Sequence, residues 1–66
     1  MQNAQSYQGQ DVFLGDTATT QRIGRVGRPA RVVEDDRNRN GMLTVEFTVE
    51  GEIQRHRVTV EDLVNN

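Results

Sequence analysis

Cysteine, lysine and tryptophan are absent from this sequence. Without cysteine no disulfide can staple the fold and no thiolate can hold a metal. The lack of cysteine fits a reducing compartment, and the chain is expected to be cytoplasmic. Serine occurs once, as Ser6, and histidine once, as His56. A nucleophile with its base and orienting partner therefore has few residues to be drawn from, and no enzyme is expected. His56 has no second histidine or cysteine to share an ion with, which argues against a zinc site. No cofactor, metal or small-molecule substrate is expected. Long hydrophobic runs are missing as well, so neither a secretory signal nor a membrane span is expected.

Charge is present but uneven. Formal net charge is −2, and all eight basic residues are arginine. Residues 21–33 hold Arg22, Arg25, Arg28 and Arg31 and no acid, whereas residues 34–66 hold eight acids against four arginines. Arginine offers a planar fork suited to phosphate or carboxylate.

Size bounds the rest. A chain of 66 residues is one small domain with a marginal core. Residues 1–10 are polar and rich in Gln and Asn, and they read as a disordered tail with Tyr7 as a solvated aromatic. Residues 11–66 form the domain. Its clearest stretch is Met42–Glu50, in which Leu43, Val45, Phe47 and Val49 alternate with Thr44, Glu46, Thr48 and Glu50. Period two over this length predicts a half-buried strand, expected at the centre of the sheet. Asp11–Leu14 reads as a short first strand, expected at a sheet edge and ended by Gly15. Asp16–Gln21 reads as a polar loop, and Gly24, Gly27 and Pro29 place a bend before a second strand at about Pro29–Asp35. Asp35–Gly41 has no apolar residue and ends in Asn-Gly, so it is expected to be a hairpin loop.

Glu50-Gly51 predicts a tight turn that returns the chain over Ile53–Val60. With those two residues as the loop, Val49 faces Glu52, Phe47 faces Gln54, Val45 faces His56 and Leu43 faces Val58. Glu46 then sits opposite Arg55 as a cross-strand ion pair. Val58 and Val60 point inward in this register, His56 lies at the inner edge, and Ile53 points outward. A bulge near Ile53 or at the turn would bring it in. Val60–Val64 is too short for a stable helix and predicts a single turn, with Leu63 closing one end, then a short last strand.

The segments Ile23-Gly24-Arg25-Val26-Gly27, Ala30–Glu34, Gly41 with Leu43–Phe47, and Val58–Leu63 carry a resemblance. Over residues 11–64 the chain resembles the SH3-like small barrels, and within them the KOW and Tudor-like modules. The resemblance implies an all-β fold, a small SH3-like barrel of about five strands; an OB-like barrel is the alternative. Tudor-type recognition of methylated side chains needs an aromatic cage, and proline-motif SH3 domains need an aromatic-lined groove. Tyr7, Phe13 and Phe47 are the only aromatics besides the histidine, and both phenylalanines read as core. The KOW likeness instead implies contact with RNA or with a nucleic-acid machine.

Two binding surfaces follow as expectations. Arg22, Arg25, Arg28 and Arg31, joined by Arg55 and Arg57, would form a basic rim for the phosphates of RNA or DNA. An acidic protein surface would serve that rim as well. Val12, Leu14 and Ile53 would form an apolar face for a protein partner or for self-association. Asp36-Arg37-Asn38-Arg39-Asn40-Gly41 matches the first half of a calcium loop, but the position that needs glutamate is Phe47. Its Asp and Asn side chains are read as serving the turn.

Overall fold

The computed structural model describes residues 6–64. The elements are β1 (Asp11–Leu14), α1 (Ala18–Arg22), β2 (Pro29–Asp36), α2 (Arg37–Asn40), β3 (Met42–Val49), β4 (Glu52–Val58), a 3-10 turn (Val60–Asp62) and β5 (Leu63–Val64). The five strands make one antiparallel sheet in the order β4-β3-β2-β1-β5. The fold is all-β, and the sheet does not close into a continuous barrel among the described residues. No helix among them is long and apolar enough to cross a membrane.

The core collects one face of each long strand. Leu43, Val45 and Phe47 of β3 meet Leu14, Ala30, Val32 and Val58, all buried. Val12, Ile23, Val49, Val60 and Leu63 pack around them half-exposed. The β3–β4 register is the one that a two-residue turn imposes: Val49 opposes Glu52, Phe47 opposes Gln54, Val45 opposes His56 and Leu43 opposes Val58. Glu50 and Gly51 take positive φ, 51° and 84°. Such a turn matches the twist of the strands it joins.

The expected bulge at Ile53 is absent, because the β3–β4 ladder runs unbroken and leaves Ile53 63% exposed. A register shift lies instead in β2, between Val32 and Glu34. The extra residue changes the phase of the pleat, so Asp35 comes to oppose the fully buried Leu43. The middle of the sheet is β2, with β3 beside it. Alternation of apolar residues reports one-sided burial, not rank within a sheet.

Two polar segments coil where loops were expected. Asp16–Gln21 contains the start of α1, whose cap is reciprocal. The Thr20 amide donates to Thr17 Oγ1 at 3.2 Å, and the Thr17 amide donates to Thr20 Oγ1 at 2.9 Å. The wholly buried Thr20 hydroxyl also donates to the Gly15 carbonyl. At the other end Gly24, at φ 70°, donates to the Gln21 carbonyl while Arg25 donates to that of Thr20. This six-to-one, five-to-two pair is the left-handed helix stop that glycine favours. Five residues are too few for a helical period to show in sequence, so the capping threonines and the Gly24 stop are its local signals. Likewise Arg37–Asn40, inside the expected hairpin loop, forms one helical turn capped by Gly41.

Residues 1–5 of the expected tail lie outside the described residues. From residue 6 onward the chain is tied to β2. Gly9 donates to the Val32 carbonyl at 2.7 Å, and the Val32 amide donates to that of Gln10 at 2.9 Å. Tyr7 is not a solvated aromatic: it packs half-buried against the core. Its amide donates to Asp35 Oδ2 at 2.9 Å, and the Arg37 guanidinium lies 4.7 Å from its ring centre.

Candidate functional site

Strand register sorts the six arginines of the expected rim into two groups. Arg31, Arg55 and Arg57 stand on the outer face of the sheet. There Arg31 opposes Asp11 and Glu46, Arg55 opposes Glu46, and Arg57 opposes Thr44. Arg31 Nε lies 3.4 Å from Asp11 Oδ1, and Arg55 Nε lies 3.1 Å from Glu46 Oε1. With Glu34 across from Thr44, this face carries three acids and three arginines. Its charge is balanced, so it is not part of a basic rim.

Arg22, Arg25 and Arg28 belong to the segment between β1 and β2. Arg22 closes α1. Arg25 to Arg28 make a turn in which the Arg28 amide donates to the Arg25 carbonyl at 3.2 Å, with Gly27 at φ 69°. The base of the segment is a short ladder: Leu14 donates to the Arg28 carbonyl at 2.9 Å and Gly27 donates to that of Leu14 at 2.8 Å. Among the described residues no acid pairs with Arg22, Arg25 or Arg28. The acid of the segment, Asp16, accepts from Gln21 Nε2 at 2.6 Å.

Arg25 reaches back over the sheet. Its guanidinium carbon lies 4.6 Å from the centre of the Phe47 ring, which itself stacks on His56 with centres 5.5 Å apart and planes within 3°. A guanidinium over an aromatic face is attracted by the ring quadrupole. Phe47 is buried beneath it, 4% exposed, and His56 is half-buried at the inner edge as the register requires. Arg25 Nε is buried and has no hydrogen-bond partner among the described residues. The sequence carries no sign of this triad, because its members come from one irregular loop and two strands.

The apolar face expected from Val12, Leu14 and Ile53 is not one face. Leu14 is fully buried and Val12 packs on the core, so both point inward, whereas Ile53 is outside. The same alternation turns Phe13 outward, 48% exposed, and corrects its reading as core.

At the far end of β2, Asp35 accepts from Arg37 Nε at 2.9 Å, from an Arg37 terminal nitrogen at 3.0 Å, and from the amides of Arg37 and Tyr7. The Arg37 side chain first, and then the Tyr7 amide, hold its carboxyl well below the usual carboxylate range. An open cleft of about 280 Å³ lies here, lined by Ser6, Asp35, Arg37 and Asn38. The calcium-like segment is spent on turn chemistry: Asn40 Oδ1 accepts from the Met42 amide at 3.0 Å. No three His, Asp or Glu side chains among the described residues converge on a common point that could hold a metal ion. Searches against protein-family models, curated proteins and solved structures each find no match to this chain.

Proposed function

We propose that this chain is a non-enzymatic cytoplasmic binding module that contacts the phosphates of nucleic acid through Arg22, Arg25 and Arg28. The order of strands, long loop, hairpin and closing 3-10 turn supports reading it as an SH3-like small barrel of the KOW-like kind. Fold alone does not carry the function. The observation that carries it is that Arg25, like its neighbours in the segment, pairs with no acid among the described residues. Arg22 and Arg28, exposed and unpaired by acids, flank that position in the chain. The non-enzymatic part of the reading rests on the open cleft at Asp35, whose carboxylate is already engaged by four donors.

The test is an amide-shift titration with short RNA and DNA at low and then moderate salt. Shifts should centre on Gly24–Arg28 and His56 and fade with salt, with a slope of about two to three counterions. A flat titration at low salt overturns the proposal. So does a binding site centred on Arg31, Arg55 and Arg57.

A further inference from the structure

The outer face of the sheet carries two rows set by the strand register, and both are ordered across the sheet. The first runs Asp11, Arg31, Glu46, Arg55 over β1, β2, β3 and β4. Its signs alternate: acid, base, acid, base. The second row lies two residues along each strand. In it Val64 of β5 opposes Phe13, Phe13 opposes Pro29, and Thr48 opposes Ile53. Phe13, Ile53 and Val64 are 48%, 63% and 46% exposed, and Pro29 is exposed too. In a chain with a core this small, that is much apolar surface to leave in water.

An alternating row of even length is complementary to its own reverse. Turn a second copy half a revolution about an axis along the strands, between β2 and β3, and lay it face to face. Asp11 then meets Arg55 of the second copy, and Arg31 meets its Glu46. The strands of the two sheets stay aligned, as face-to-face sheets prefer within about 30°. The same rotation brings Phe13 and Val64 over Ile53 of the second copy and Pro29 over its Thr48. One operator thus pairs every charge of the first row and covers the apolar residues of the second. We infer that this outer face is the interface of a symmetric homodimer, an isologous contact in which each copy contributes the same patch. The inference goes beyond the nucleic-acid reading and uses a different surface, leaving Arg22, Arg25 and Arg28 outside the interface.

The experiment is sedimentation equilibrium of the full chain from roughly 10 µM to 1 mM, the range for weak dimers. The weight-average mass should climb from 7.5 kDa toward twice that value. Asp11→Arg sets like charges against each other across the dimer and should weaken association about tenfold. Adding Arg55→Asp restores opposite charges between copies and should bring affinity back to near wild type. That double change breaks both intrachain ion pairs, so its rescue has no explanation within one copy. Ile53→Asp should leave a folded monomer, checked by circular dichroism. A wild-type mass that stays at one chain up to the highest concentration overturns the inference. So does association that Asp11→Arg leaves unchanged, or a double variant weaker than the single.

Discussion

The segment between β1 and β2 and the outer face of β2–β4 hold three arginines each, yet the two regions are electrostatic opposites. On the sheet, register delivers an acid to Arg31 and to Arg55. In the segment, Arg22, Arg25 and Arg28 face no acid among the described residues, and Arg25 settles on an aromatic ring instead. Availability for a ligand is therefore decided by what stands opposite a residue, not by how many arginines the chain carries. A guanidinium beside a carboxylate has its charge offset and attracts a phosphate less, whereas an unpaired one keeps its full charge.

The sharpest way to break this contrast is to release the segment from its scaffold. Thr20→Val keeps the shape and removes a buried hydroxyl bonded to the Gly15 carbonyl and the Thr17 amide. It should cost about 2 kcal/mol in urea unfolding, since it strands those groups, and should weaken oligonucleotide binding with it. Arg25→Ala should lower affinity for a short oligonucleotide about tenfold at low salt, by fluorescence anisotropy, while Arg55→Ala changes it less than about twofold. Equal losses at the two positions would erase the distinction. Gly24→Ala is next: at φ 70° with open space around it, it should destabilise by about 1 kcal/mol through backbone strain alone. Smallest is Glu46→Gln, which removes an ion pair whose Arg55 side is largely exposed and should shift monomer stability by less than about 1 kcal/mol.

Acid unfolding sharpens the picture from the other end of β2. Arg37 and the Tyr7 amide hold the Asp35 carboxyl below its ordinary value. A native carboxyl held low contributes stability that is complete above the unfolded value, about 3.9. That contribution is lost as pH falls below it toward the native value. Asp35→Asn should therefore flatten the acid limb of a melting-temperature profile between about pH 4 and pH 2, and lower the melting temperature at neutral pH by several degrees.

What was legible lies mostly in the carboxyl-terminal half. Leu43, Val45 and Phe47 announce their face by alternation, and Glu50-Gly51 settles the register that puts Glu46 against Arg55. The closing turn and short last strand were equally readable, because Asp62 bonds back to the Thr59 amide within one turn. The amino-terminal half resisted. α1 rests on two threonines and a glycine stop, and β1 has four residues, too few for alternation to show which side is in. Phe13 was therefore assigned to the core on residue type, while Leu14 held that place.

The sequence by itself determined which residues form strands and how the β3–β4 hairpin aligns. Both are local matters of pleat geometry and turn sterics. Tertiary structure alone decided that β1 lies between β2 and β5, that a bulge in β2 turns Asp35 inward, and that Arg31 gains an acid while Arg25 lies on Phe47. Those outcomes depend on pairings between different strands, from Asp35 with Leu43 to Phe13 with Val64. Such pairings are chosen by the burial of one shared core, which no local pattern encodes.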